Sequence, residues 1–247
     1  MRRAKSLFSQ KLTRHLGSIT LPSPLPFEGV AFEKRQSMRY QSGFDVLAPL
    51  QTAREELASD EPEIFKAFLL ATTCGLRRGE IDALEWRAFR WDTGLLRIEA
   101  TTHFHPKSEY SLGDIDLEPE ILAIFRGFYA KANSSFVIES PKRSRVVAKT
   151  HRSKPLNCYR CQSHFERLAS WLQKKGVTDR KPLHSLRKEY GSQVCDRHGI
   201  YAASRALRHA SVTITAAHYL DKKSRVTSGL GASLSAKVTP ITKVEAA

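Results

Sequence analysis

Apolar positions recur at helical spacing in several runs, and turn-forming residues separate those runs. Leu7, Phe8, Leu12 and Leu16 predict a short amphipathic helix within residues 2–16. Residues 17–29 hold Pro22, Pro24 and Pro26. That stretch reads as an extended linker, because proline fixes φ and donates no backbone hydrogen bond. A basic, polar segment continues to about Ser42. From Phe44 the helical period resumes through Leu47 and Leu50, and a second run opens at Asp60-Glu61-Pro62. Asp60 suits an N-cap and Pro62 suits the first turn. This run, through Phe65, Phe68, Leu69 and Leu70, is expected to stop at Gly75.

A short helix is expected from Arg78 to Leu84. Ala88–Trp91 and Leu95–Glu99 then read as a hairpin around Asp92-Thr93-Gly94, with a third strand over Ser111–Leu117. Residues 118–131 form an amphipathic pattern with Ile121, Leu122, Phe125 and Phe128 on one face. The segment 141–154 reads PKRSRVVAKTHRSK: Lys142, Arg143, Arg145, Lys149, Arg152 and Lys154, with no acid. It predicts a basic loop. Further helices are expected at 157–175, 184–198, 201–208 and 211–220, followed by a small, polar tail. The fold class is therefore mainly α with a small antiparallel β-sheet. Residues 44–227 are expected to form one domain, preceded by a leader and linker over 1–43 and followed by a tail over 228–247.

Composition narrows the partner. Of 247 residues, 41% are hydrophobic and 26% charged, enough for a packed core. The formal net charge of +15 favours a polyanion. No apolar run approaches the about 18 residues that span a bilayer. The basic N-terminus lacks the apolar segment of a signal peptide. Four cysteines, Cys74, Cys158, Cys161 and Cys195, fit reduced thiols in the cytoplasm.

Five short pieces carry candidate chemistry: GLRRGEI (75–81), HPKSE (105–109), LHSLRK (183–188), LRHAS (207–211) and AHYLD (217–221). His184 and Arg187 stand three apart at the start of an expected helix, so both lie on one face. A guanidinium matches two phosphate oxygens, and an imidazole moves protons near neutral pH. Ten residues separate His209 from Tyr219, about 15 Å along one straight helix. Ser211 as an N-cap would break that helix after Arg208, leaving His209 in a turn and Tyr219 near the end of the next helix. Arg77 falls in a turn where its side chain can face a cleft, with Glu80 placed to hold it. Each residue alone has a plain reading: a solvated charge, a capping histidine, a half-buried tyrosine.

The ordered series Arg77, Glu80, Lys107, His184, Arg187, His209, Tyr219 resembles the signature of the tyrosine recombinase (phage integrase) family, over roughly residues 44–222. One departure is Arg208, where many members carry glycine. The resemblance implies the family's catalytic-domain fold and DNA cleavage with rejoining. Tyr219 is then the nucleophile, giving a 3′-phosphotyrosyl link. Arg77 and Arg187 clamp the phosphate, Lys107 is the general acid, His184 helps take the tyrosine proton, His209 binds the phosphate, and Glu80 supports. It implies no metal, cofactor or ATP, in keeping with the lack of a P-loop motif. The partner is double-stranded DNA, bound by a homo-tetramer, with a free monomer, near the nucleoid. The basic loop 141–154 is the candidate additional DNA contact. The family's core-binding domain would precede the catalytic one, and only residues 1–16 can belong to it; a truncated form with little recombination of its own is expected.

Other readings have specific marks. A type IB topoisomerase-like enzyme would use the same residues to relax DNA. An inactive DNA-binding remnant would keep the fold alone. His103-Phe104-His105 matches a cation-binding pattern of metal-dependent nicking enzymes, and Cys158, Cys161 and His164 have partial zinc-site spacing without a second pair.

Overall fold

The computed structural model describes residues 8, 24–30, 47–106, 109–142 and 159–219. The chain divides into two units, 1–38 and 39–247. In the first, turns run over 24–30, with Leu25 N–H donating to Glu28 Oε2 at 2.8 Å. The helix expected over 2–16 lies outside the described residues except for Phe8, whose ring centroid is 6.1 Å from that of Phe27.

In the second unit the described residues form seven α-helices and one three-stranded sheet. These are α1 (Leu47–Leu57), α2 (Pro62–Thr72), α3 (Arg78–Asp82), β1 (Phe89–Arg90), β2 (Leu95–Ile98), β3 (Gly113–Asp116), α4 (Pro119–Tyr129), α5 (Gln162–Lys174), α6 (Pro182–Ala206) and α7 (Val212–Tyr219). The sheet is antiparallel in the order β1-β2-β3, with Phe89 opposite Leu96 and Leu96 opposite Ile115. Those three side chains share one face and are buried in the core. No helix of the described residues is long and apolar enough to cross a membrane.

The core is built around α2, which is apolar almost all round and therefore central. Nine of its eleven residues are buried, and it packs against α1, α5 and α6. Pro62 opens α2 as expected, but the N-cap is Glu61 rather than Asp60, and its side chain makes no capping bond. The cause is local: proline pushes the preceding residue out of helical φ/ψ, so Glu61 (φ −135°) has to be the boundary. The helix ends at Thr72, three residues before Gly75. The Thr73 hydroxyl donates to Leu69 O at 2.8 Å, and Leu76 N–H returns to Leu70 O at 3.1 Å.

The other elements sit close to their expected places. β3 is shorter than 111–117, because Glu109–Ser111 forms a 3-10 turn before it. The helices expected at 184–198 and 201–208 fall in α6, which breaks at Gly199 (φ 81°, ψ 172°) and ends at Ala206, two residues earlier than expected. α5 opens at Gln162; residues 157 and 158 of its expected start lie outside the described residues. So do most of the basic loop, from 143 to 158, and the chain from 220 onward.

Candidate active site

The turn after α2 sets one wall. Gly75 has φ 58°, and a Cβ there would lie 2.3 Å from Tyr190 Cδ1, so both backbone and space call for glycine. This close approach to α6 lets the buried Arg187, 3% exposed, donate through Nη1 to Gly75 O and through Nη2 to Leu207 O. One guanidinium thus ties the α2–α3 turn to the end of α6. Burial and the nearby Arg77 lower its pKa to about 9, which still leaves it charged at neutral pH.

α3 supplies the next two groups. Arg77 precedes its first turn, and Glu80 sits one turn on. The Glu80 side chain is 2% exposed and Arg77 is 37% exposed. Glu80 Oε1 accepts from Arg77 Nη1 at 2.7 Å, and Oε2 accepts from Arg77 backbone N–H at 2.8 Å. With its carboxylate end buried, this is a half-buried brace, not the weak surface pair that spacing alone would give. Arg78, the adjacent arginine, points away: it donates to Gln162 Oε1 and lies over Tyr159 and Phe165.

The α6–α7 turn closes the site. Thr213 N–H donates to Ser211 Oγ at 3.1 Å, so Ser211 caps α7 as expected, and His209 lies in the turn. His209 N–H donates to Ser204 O at 3.0 Å, and its Nδ1 is 2.8 Å from Thr215 Oγ1. Burial, then Arg187 and Arg77, push the His209 pKa down to about 4, so the ring is neutral at pH 7. α7 returns Tyr219 to α6. A Cβ on Gly191 would lie 2.5 Å from the phenol oxygen, which therefore rests in the notch glycine leaves. Gly191 is one helical turn beyond Arg187, on the same face. Burial pushes the phenol pKa up to about 12, with Arg187 acting against it. His184, at the exposed start of α6, is also lowered, by desolvation and then by Lys188, Arg187 and Lys181.

Arg77, Glu80, Arg187, His209 and Tyr219 therefore meet, with His184 at the rim. Lys107 lies outside the described residues, as do Arg143, Arg145, Lys149, Arg152 and Lys154; Lys142 is described and exposed. The sequence reading missed Arg208 as a member of the site. It is 5% exposed, has φ 50°, and donates from Nη2 to Glu80 Oε2 at 2.5 Å. Its departure from the glycine that the family resemblance leads one to expect was the available signal, since glycine there would mark a left-handed backbone. Arg77 and Arg208 thus pair with the Glu80 carboxylate, and Arg187 lies within electrostatic reach of all three, so guanidinium groups crowd a partly buried place.

The competing motifs are arranged differently. His103 packs edge-on to Phe136, while His105 is exposed. Cys161 is fully buried, with its thiol pushed up to about 12 by burial, and His164 Nε2 lies 3.1 Å from Glu139 O. No group of three or more His, Cys, Asp or Glu placed to hold a metal occurs among the described residues.

The model of the phage integrase family matches residues 45–225. The Tn1549 transposon integrase, solved in complex with a circular intermediate DNA, is similar at TM-score 0.61 and 13% identity, over 95% of this chain and 78% of that one. XerA recombinase is similar at TM-score 0.52 and 17% identity, over 75% of this chain and 62% of that one. A lambda integrase tetramer bound to a Holliday junction is similar at TM-score 0.53 and 15% identity, over 87% of this chain and 57% of that one. At such identities the likeness is one of fold. No curated protein sequence matches the chain significantly. The buried arginine centre stands on this fold, and the family match runs over most of the chain: the protein belongs to the phage integrase family and has the catalytic-domain fold of the tyrosine-type site-specific DNA recombinases.

Proposed function

We propose that this chain cleaves and rejoins double-stranded DNA at specific sites through a 3′-phosphotyrosyl intermediate on Tyr219. The observation that carries the reading is the surplus of guanidinium charge beside a packed phenol. A phosphodiester is the anion such a pocket suits, because its charge grows as the phosphorus becomes pentacoordinate.

Arg77 and Arg187 hold the non-bridging oxygens. Tyr219 Oη attacks phosphorus as its proton leaves with the help of His184, whose lowered pKa keeps its ring unprotonated and so free to accept a proton at pH 7. The bond to O5′ breaks, and Lys107 protonates that oxygen. His209, neutral, donates a hydrogen bond to the phosphate from Nε2, which requires Nδ1 to accept from the Thr215 hydroxyl. Glu80 keeps Arg77 in place. Attack by a 5′-hydroxyl of another duplex reverses the chemistry without ATP, and EDTA leaves it intact. Exchange of two duplexes calls for four protomers, as in the lambda integrase tetramer on its junction. Basic side chains, including the loop around Lys142, supply salt-sensitive phosphate contacts.

The test uses nicked duplexes randomised over their core, which trap a covalent adduct when the short 5′-hydroxyl strand diffuses away. The parent chain forms an adduct and Tyr219→Phe forms none. An adduct that persists in Tyr219→Phe rules the assignment out.

A further inference from the structure

We propose that Arg208 is a positioning residue of the cleavage centre, holding the Arg77 guanidinium from two sides. The proposal rests on the functional reading above and adds a residue to it.

The left-handed backbone of Arg208 turns its carbonyl toward Arg77, whose Nη2 donates to it at 3.4 Å. The Arg208 side chain folds back: Nη2 donates to Glu80 Oε2, and Glu80 Oε1 accepts from the other terminal nitrogen of Arg77. Backbone and side chain of one residue thus reach both ends of the Arg77 fork, one directly and one through a carboxylate. Arg208 Nε also donates to Ser111 O at 3.2 Å, which anchors the turn leading into β3 to the same point.

The cost of this arrangement argues that it has a use. A non-glycine residue at φ 50° is strained, and glycine would supply the same backbone freely. Arg208 further buries a charge, and its Nη1 is buried with no hydrogen-bond partner among the described residues. Glycine would keep the carbonyl contact, and Glu80 would keep its two bonds from Arg77, one from Nη1 and one from the backbone N–H. What glycine would remove is the side-chain link from that pair to the α6–α7 turn and, through Ser111, to the turn before β3. The gain from Arg208 is a tie between the Arg77–Glu80 pair and a second part of the fold, and hence an Arg77 fork held in register with the α6–α7 turn before DNA arrives.

The experiment is a double-mutant cycle on single-turnover adduct formation, using the fastest-reacting nicked duplex from the randomised pool. Arg208→Gly is expected to slow adduct formation about tenfold, with DNA affinity within about twofold of the parent. Arg77→Ala is expected to slow it about 100-fold or more. The double variant should be no slower than Arg77→Ala alone, because Arg208 acts through Arg77. A methylphosphonate in place of the scissile phosphate, which lowers the demand for charge neutralisation, should narrow the deficits of Arg77→Ala and Arg208→Gly together. A general loss of packing would slow both substrates equally. If Arg208→Gly is as fast as the parent, or slows the Arg77→Ala background by its full factor, the positioning role is wrong. If Arg77→Ala itself is as fast as the parent, the functional reading fails and takes this proposal with it. Arg208→Lys runs the same cycle if the glycine variant melts early: it keeps a cation near Glu80 but cannot serve Glu80 and Ser111 together.

Discussion

Two buried arginines serve different ends of the same small helix. Arg160, 7% exposed, donates to Asp82 O through Nε at 3.3 Å and to Ile138 O through Nη2 at 2.7 Å, with Phe136 beneath its guanidinium. Asp82 also accepts the backbone N–H groups of Arg160 and Cys161. Arg187 likewise donates to two backbone carbonyls. Hydrogen bonding alone does not separate the two. Their neighbours do: Arg160 faces backbone carbonyls and an aromatic ring, whereas Arg187 lies close to the charges of Arg77 and Arg208 and to a tyrosine, with Glu80 as the nearby counter-charge. Asp82 and Glu80 lie two residues apart on α3 and so face different ways. One carboxylate completes a structural staple and the other leaves a centre short of negative charge. A buried arginine is therefore not a functional mark in itself; an unbalanced group of them is.

The largest contrast comes from the same substitution at both places. Arg160→Met and Arg187→Met each strand two buried carbonyls, and each is expected to cost about 2–4 kcal/mol of stability in chemical denaturation. Only Arg187→Met should also slow adduct formation per folded molecule, by about 100-fold or more. If Arg160→Met slows the folded enzyme equally, the distinction between staple and centre is lost.

How far the sequence revealed this division depends on the physics of each part. Helical periodicity gave α4 and α7 nearly whole, and Asp92-Thr93-Gly94 marked the hairpin, because those signals are local. The resemblance brought together Arg77, Arg187, His209 and Tyr219 across more than a hundred residues. It also named Glu80 as support for Arg77, but not that the carboxylate is buried, because spacing carries no information about burial. Arg208 stood only as a departure from the family pattern, because its place depends on Glu80, 128 positions away, and on a backbone conformation. Asp60 failed as a cap because the stiffness of Pro62 outweighed a capping preference.

Two glycines sharpen the comparison at a smaller scale. Gly191 sits under the phenol, where a Cβ would also come within 2.6 Å of Leu207 Cδ1. Gly79 sits on the staple side of α3, where a Cβ would meet its nearest neighbour, Tyr159 Cε1, at an ordinary 3.9 Å. Gly191→Val should displace Tyr219 and slow adduct formation by about tenfold to 100-fold, since an ångström of misplacement is costly to a reacting group. Gly79→Ala should leave that rate unchanged and raise stability by up to about 1 kcal/mol through lower chain entropy. A Gly191→Val enzyme of parental speed would mean that the phenol does not react from this seat.

Acid should distinguish the two regions most gently. His209 titrates near 4 in the fold but near 6.5 when unfolded, so between those values the unfolded chain binds the extra proton. Stability contributed by neutral His209 is therefore complete above about pH 6.5 and falls as pH drops toward 4. His184, lowered in the same direction, adds to that slope. The paired carboxylates Glu56 and Asp179 are held below their usual range and act only at lower pH. With solvent at the edge of His209, the loss by pH 5 should be about 1 kcal/mol. His209→Gln, which can still bond Thr215, should flatten the slope between pH 6.5 and 5, while Arg160→Met should lower the whole curve without changing its slope. The reason is the one that separates the regions: protonating His209 adds a further cation to a place already crowded with guanidinium groups. An unchanged slope in His209→Gln would place that proton elsewhere and remove the cationic centre as its cause.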